Sequence, residues 1–130
     1  MSISGITANL SVDDFKITKY DVRVRTNNNP GILLIHASWC GHCKHFVPTY
    51  KRICQLLNAK DTTFPCLAIE SEELKADGGD LSNALEVQGF PTIKFFDQNG
   101  KIIADYDGGR DADSILKKIC NVYHHCVEHH

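Results

Sequence analysis

Apolar and polar residues follow two rhythms along this chain, and the rhythms predict where strands and helices lie. Residues 32–37 are apolar on both faces, which is typical of a buried central strand, and residues 65–69 predict a second one. From residue 40 to about residue 57, apolar side chains recur at the spacing of one helix face and predict a helix. Pro48 lies inside that helix and predicts a kink, because proline has no N–H group to donate.

The other segments predict shorter elements separated by turns. Asn99 and Gly100 form a turn sequence between two β-type runs, so they predict a hairpin. The further predicted elements are a capped helical turn after Ser11, a strand at 22–24, an acidic loop at 70–80, a helix at 81–87, hairpin strands at 92–96 and 102–106, and a last helix at 111–126. In this order the elements predict an α/β fold with a central mixed β-sheet flanked by helices.

Composition and charge narrow the class of protein. The chain has 130 residues, of which 42% are hydrophobic and 23% charged, as in a folded domain that buries a core. Its net charge of −2 argues against a nucleic-acid surface, and no apolar run reaches membrane-spanning length. We expect a monomer with neither a nucleic-acid nor a membrane partner, in one domain over residues 1–126. Residues 127–130 resemble the start of a vector-encoded affinity tag.

The first residues and the cysteine count bear on the compartment. Residues 1–9 have neither a basic nor an apolar signal region, which predicts no signal peptide. A cytoplasmic or virion-associated location is therefore favoured, with the lumen of the secretory pathway as the alternative if a signal was removed. Six cysteines are many for a reducing compartment, so the sequence leaves this choice open.

The strongest chemical signal is a pair of cysteines, Cys40 and Cys43, placed where the first predicted buried strand turns into a helix. The helix N-terminus offers unpaired N–H groups and positive potential, and His42 adds an imidazole beside Cys40. These groups favour a thiolate and predict a pKa for Cys40 below the free value of about 8.5. We therefore predict that Cys40 is the nucleophile and that Cys43, one turn further in, resolves the mixed disulfide.

Three segments together resemble the thioredoxin superfamily, and specifically a catalytic domain of protein disulfide isomerase. They are Trp39 to Lys44 with its Cys-Gly-His-Cys centre, Gly89 to Phe96 with its proline, and Tyr106 to Asp113 before the last helix. The resemblance implies a thioredoxin fold and a thiol–disulfide oxidoreductase of isomerase type. It also implies protein thiols and disulfides as substrates, glutathione or a reductase or oxidase as redox partner, and no bound cofactor.

The resemblance also implies roles for residues around the dithiol. Pro91 is expected to be cis, so that the backbone of Phe90 can pair with an extended substrate segment. Trp39 is expected to cover the dithiol and offer an apolar surface to unfolded substrates. The residues expected to tune the pKa values of the two thiols are Gly41, His42 and Arg110.

The sequence departs from the family pattern at one buried position. Most members carry an Asp or Glu six residues before the first active-site cysteine, and here that position is Leu34. The family's partner lysine on the next strand falls at Ala68. In the family this carboxylate is thought to help move the proton of the second cysteine, so the proton route of Cys43 becomes a question.

Other functions and other roles for the cysteines stay open at this point. One alternative is a general disulfide reductase, and another is a peptide-binding chaperone or assembly factor whose redox activity is secondary. Four further cysteines are expected to be structural, namely Cys54, Cys66, Cys120 and Cys126. Cys120 and Cys126 are expected on the inner face of the last helix, and a second disulfide is left open. Clustered histidines near the C-terminus have poor spacing for a metal, so no metal site is expected.

Overall fold

A five-stranded mixed sheet forms the centre of the protein in a computed structural model, which describes residues 8–59 and 63–127. The strand order is β1-β5-β4-β6-β7, and a separate two-stranded sheet pairs β2 with β3. The strands are β1 Ala8–Leu10, β2 Phe15–Ile17, β3 Val22–Val24, β4 Gly31–His36, β5 Cys66–Glu70, β6 Thr92–Phe96 and β7 Ile102–Asp105. The predicted α/β fold with a mixed central sheet is confirmed.

The central strand β4 is buried on both faces. It pairs parallel with β5 and antiparallel with β6, and its residues 32–35 are fully buried. Side chains that alternate along a strand point to opposite faces of the sheet. Ile32 and Leu34 therefore join the core under the two long helices, and Leu33 and Ile35 join a second core under the small sheet. This double burial explains why the segment reads as a continuous apolar run.

Four helices and a short 3₁₀ helix at Val12–Asp14 complete the described parts of the chain. The helices are α1 Gly41–Leu57, α2 Ser71–Leu74, α3 Asp80–Ala84 and α4 Ala112–Tyr123. The predicted helices are thus present, although α3 is shorter than expected. Helix α1 continues through Pro48 and places an apolar stripe on the sheet. The capped turn after Ser11 is also confirmed, because the Ser11 N–H donates to the Asp14 carboxylate.

Three short elements were not predicted from the sequence. Strand β1, Ala8–Leu10, has Leu10 as its only large apolar residue and so no clear alternation of apolar and polar positions, and β2 begins directly after the capped turn at Val12–Asp14. The segment predicted as an acidic loop contains α2, whose first turn is capped by the Glu70 side chain. That turn is specified by a capping carboxylate rather than by apolar periodicity.

The end of the last helix differs from the prediction. Helix α4 stops at Tyr123, because His124 takes up a left-handed conformation with φ of 58°. The chain then turns back, and Cys126 forms a disulfide with Cys120. Cys126 is exposed, so the expectation that both cysteines extend the inner helix face is wrong, and the disulfide left open in the sequence is present.

The last residue of α4 and the residues after it pack on the domain. The His125 ring lies 5.0 Å from that of Phe64, measured between centroids, and the Tyr123 hydroxyl donates to the Gly31 carbonyl. Val127 packs against the core under α1 and α4. Val127 thus belongs structurally to the domain, whereas residues 128–130 of the expected tag lie outside the described residues.

Candidate active site

The Cys40 side chain caps the N-terminus of α1. Cys40 follows the carboxyl end of β4, and its sulfur accepts a hydrogen bond from the Cys43 N–H at 3.4 Å. The Cys40 Sγ also lies 3.8 Å from the carbonyl oxygen of Phe90. Both Cys40 and Cys43 are free thiols in this structure, but Cys40 is partly exposed whereas Cys43 is buried, with 1% of its surface accessible.

The pKa values of the two thiols are shifted in opposite directions. Hydrogen bonds from the Cys43 side chain and backbone N–H, followed by the His42 N–H and the positive charge of Arg110, lower the pKa of Cys40. Burial raises the pKa of Cys43, and it outweighs the stabilisation of its thiolate by the Ala37 backbone and by Arg110. At neutral pH, the outer thiol therefore supplies a thiolate more readily than the inner one.

His42 follows Cys40 by two residues, and its N–H adds to the groups that lower the pKa of Cys40. Gly41 and His42 are both exposed, and Gly41 begins α1. The tuning of the thiols by the imidazole of His42 and by Gly41 stays a prediction.

A cis peptide bond joins Phe90 to Pro91 beside the dithiol. The Trp39 ring packs edge-on against the Phe90 ring, with 5.6 Å between centroids, and yet 63% of Trp39 is exposed. Trp39, Phe90 and Pro91 thus form an apolar rim beside Cys40. Their contact with substrates, which the resemblance implied, stays a prediction.

The two core positions at which most family members carry a charged pair are occupied by uncharged residues here. Leu34 lies opposite Ala68 of β5 and Ile93 of β6, and all three are buried. Arg110 is exposed, and its charge lowers the pKa of both thiols. Of the site residues predicted from the sequence, Arg110 is the cation whose field reaches Cys43.

Glu70, which was not predicted as a site residue, holds the loop that carries the dithiol. Its carboxylate accepts from the Ser38 N–H at 3.0 Å and from the Glu72 N–H at 2.7 Å. One side chain thus ties the loop after β4 to the start of α2. Burial disfavours its ionised form, but hydrogen bonds from Ser38, Glu72 and Ser71 outweigh burial and lower the pKa of Glu70.

We expect Glu70→Gln to destabilise the protein at neutral pH by up to about 1 kcal/mol, the scale of a helix cap. Because the pKa of Glu70 is lower in the folded than in the unfolded protein, its contribution exists above the usual glutamate pKa. It is lost as pH falls through the folded value. Urea unfolding of both proteins across this pH range measures the difference, with the exposed Glu73→Gln as control.

A wild-type stability advantage over Glu70→Gln that persists unchanged at acid pH would contradict this role of the carboxylate. A loss equal to that of Glu73→Gln at neutral pH would do the same.

The other cysteines lie away from this site or in the core. Cys54 and Cys66 are fully buried, and the contact with Cys54 adds to burial in raising the pKa of Cys66. Among residues 8–59 and 63–127, no three His, Cys, Asp or Glu side chains come together as metal ligands. In the same residues no helix has the length and apolar character needed to cross a bilayer.

The sequence and the geometry agree with comparisons to known proteins. The family model for thioredoxin matches residues 11–121. This chain belongs to the thioredoxin family. Spinach chloroplast thioredoxin f has the same fold, with a TM-score of 0.63, 22% identity, and coverage of 93% of this chain and 96% of that one.

Protein disulfide isomerases are among the similar proteins. Protein disulfide-isomerase erp38 of Neurospora crassa is 32% identical over 112 residues, which are 86% of this chain and 29% of that protein. The barley enzyme is 39% identical over 90 residues, or 68% of this chain and 17% of that protein. The first thioredoxin domain of mouse protein disulfide-isomerase A4 is 27% identical, with a TM-score of 0.60 and coverage of 87% and 84%. The chain thus spans less than a third of these two curated relatives.

Proposed function

We propose that this domain is a thiol–disulfide oxidoreductase of the protein disulfide isomerase type, acting on protein thiols and disulfides through Cys40 and Cys43. The observation that carries the proposal is the asymmetric dithiol. Cys40 is accessible, caps α1 and has a lowered pKa, whereas Cys43 is buried with a raised pKa. The 32–39% identity to two protein disulfide isomerases supports the isomerase type.

The proposed reaction begins with the Cys40 thiolate. It attacks one sulfur of a substrate disulfide, so that a new S–S bond forms to Cys40 and the other substrate sulfur leaves as a thiolate that takes a proton. Cys43 then loses its proton and attacks the Cys40 sulfur. The substrate sulfur leaves as a thiol. The substrate disulfide has then been reduced by two electrons, and Cys40 and Cys43 have been oxidised to a disulfide. In reverse, this disulfide oxidises a substrate dithiol.

The proton of Cys43 leaves without help from a carboxylate at position 34. The groups that stabilise the Cys43 thiolate are the Ala37 backbone and the charge of Arg110. Because these compete with burial, we propose that deprotonation of Cys43 limits the second step. Slow resolution lengthens the life of the mixed disulfide, which gives a substrate time to exchange within itself, as isomerisation requires.

Substrate contact is proposed at the rim around Cys40. Trp39 and Phe90 present aromatic surface, and the cis bond before Pro91 leaves the Phe90 backbone beside the sulfur. An extended segment that pairs there by β-addition brings its disulfide to Cys40. Glutathione or a partner oxidase or reductase would restore the redox state of the dithiol.

Reactivation of a reduced or scrambled disulfide protein tests the proposed function. We expect the domain to restore the activity of such a protein in a glutathione buffer. A Cys40→Ser, Cys43→Ser double variant should show the background rate, with the exposed Glu73→Gln as the folded control. If the double variant is as effective as the wild type, the peptide-binding chaperone alternative replaces ours.

The redox potential separates the isomerase from the general reductase. Isomerases lie near −180 mV and thioredoxin near −270 mV, a gap of about 90 mV or roughly 4 kcal/mol for two electrons. We expect an isomerase-like potential and a more reducing one in His42→Pro, because proline removes the N–H group that stabilises the Cys40 thiolate.

His42→Ala is the matched control for that substitution, because it removes the imidazole and keeps the N–H. Equilibration of each variant with glutathione measures the potentials. The backbone contact predicts a larger shift for His42→Pro than for His42→Ala. Equal potentials in wild type and His42→Pro would contradict the tuning role of this position.

An oxidising compartment is proposed for the protein. The Cys120–Cys126 disulfide lies outside the proposed redox centre, and such bonds persist where thiols are not kept reduced. This favours the secretory-pathway alternative over the cytoplasm. We also propose that the domain is a monomer and that glutathione or a partner oxidase or reductase is its redox partner. The activity of any longer protein that contains this domain is likewise a proposal.

A further inference from the structure

A groove of about 450 Å³ is lined by the cis proline, the start of β6, the end of β7 and the segment that leads into α4. Phe46, Pro91 and Ile93 give it an apolar floor. The polar residues that line it are Glu86, Gln88, Thr92, Asp105, Asp107 and Arg110. A groove of this kind suits a polypeptide side chain that is apolar along its stem and polar at its tip.

The charges of the groove are distributed unevenly. Arg110 lines the groove, and its positive charge lowers the pKa of Cys40. Asp105 forms an ion pair with the buried Lys94, at 2.6 Å between Oδ1 and Nζ, so its charge is compensated. Within the described parts of the chain, no cationic side chain lies within 4.0 Å of the carboxylates of Glu86 or Asp107. Glu86 and Asp107 therefore bring two negative charges to the groove that are in no ion pair among the described residues, against the one positive charge of Arg110.

We propose that this groove binds a lysine or arginine side chain of the substrate, in the segment next to the disulfide that Cys40 attacks. The inference rests on the proposed function and adds a specificity to it. The occupant is a substrate segment because the groove is continuous with Pro91, whose cis bond adjoins the reactive sulfur. It is cationic because Glu86 and Asp107 complement a positive charge, and the long apolar stem of lysine or arginine fits the floor.

Arg110 lines the same groove as Glu86 and Asp107. A substrate cation is therefore expected to be preferred at the positions that bring it to Glu86 and Asp107 rather than to Arg110. A substrate with an acidic residue at the same position is disfavoured by the same charges.

A peptide series tests the proposal. Each peptide carries one disulfide to a fluorescent thiol and a single arginine, glutamine or glutamate, moved through the positions on both sides. We expect the rate constant for release of the thiol by the wild-type domain to be about three- to fivefold higher with arginine than with glutamine at the best position, the effect of one partly exposed ion pair. Salt should reduce this ratio.

One double variant and a control locate the effect. Glu86→Gln and Asp107→Asn together should bring the arginine-to-glutamine ratio close to one. Asp105 is left intact, because its removal would strand the buried Lys94. Asp13→Asn, which removes an exposed charge from the 3₁₀ helix outside the groove, should keep the ratio of the wild type.

The outcomes separate this proposal from the proposed function. Equal rates for arginine and glutamine peptides at every position, with active exchange, would overturn the groove assignment alone. An arginine preference that survives in the Glu86→Gln, Asp107→Asn double variant would also overturn it. Absence of exchange with every peptide would instead contradict the proposed function.

Discussion

Replacing Cys40 by serine is expected to reduce the rate of thiol–disulfide exchange by on the order of 10³-fold or more, to the background of the uncatalysed reaction. The thiolate of Cys40 is the accessible nucleophile of the proposed mechanism, and a serine hydroxyl is not ionised at neutral pH. The buried Cys43, whose pKa is raised, cannot take over the attack on a protein substrate. Release of a coloured thiol from a small disulfide measures the rate.

Cys43→Ser is the matched variant, because it removes the other sulfur and keeps the nucleophile. We expect this variant to attack at a rate near that of the wild type and then to stop as a mixed disulfide. Mass spectrometry of the acid-quenched reaction detects that adduct on Cys40. Full turnover by Cys40→Ser, or an adduct that accumulates on the Cys43 of that variant, would reverse the assigned roles.

Replacing Leu34 by aspartate is expected to lower the free energy of unfolding by about 3 kcal/mol or more at neutral pH. Leu34 is fully buried and pairs with Ala68 and Ile93, so a carboxylate there finds no cation at the paired positions. The buried Lys94 of β6 pairs with Leu33, and alternation along the strands places it on the opposite face of the sheet. A buried charge without a partner costs several kcal/mol, and the removal of the leucine side chain adds a cavity. Urea unfolding measures the loss.

Leu34→Asn separates the charge from the cavity. Burial raises the pKa of a carboxyl in the folded state, so the folded protein binds the proton more tightly than the unfolded one. The stability of Leu34→Asp should therefore fall, relative to Leu34→Asn, as pH rises above the usual aspartate value of about 3.9, until the folded value is reached. Equal stability of the two variants at every pH would show that a charge at this position is tolerated or compensated.

Most of the sheet could be predicted from the sequence, because its strands are continuous apolar runs or a hairpin with an Asn-Gly turn. Strand β4 and helix α1 have the clearest periodicities, and both were placed within one residue of their bounds. Strand β1 is short and has no clear alternating pattern, and β2 begins directly after the capped turn, so neither stood out in the sequence. Helix α4 ends where His124 takes a left-handed conformation, and the Cys120–Cys126 bond that follows forms through space and leaves no periodic signal.

The sequence predicted those residues of the candidate site that belong to recognisable motifs. Cys40, Cys43 and the Phe90-Pro91 bond lie together as expected. Glu70 was missed because its role is a hydrogen bond to the Ser38 backbone, thirty-two residues away, which no local spacing reveals. The N–H of His42, which also lowers the pKa of Cys40, could not be predicted, because a backbone group leaves no signal in the side-chain pattern.

The pH dependence of alkylation at each cysteine tests the central claim most directly. The reduced domain is treated briefly with iodoacetamide across a range of pH, and peptide mass spectrometry measures the rates at Cys40 and Cys43 separately. The asymmetric dithiol predicts an inflection for Cys40 below the free-cysteine value and slow reaction of Cys43 with an inflection above it. Equal inflections at the two sulfurs, or a more acidic Cys43, would contradict the account.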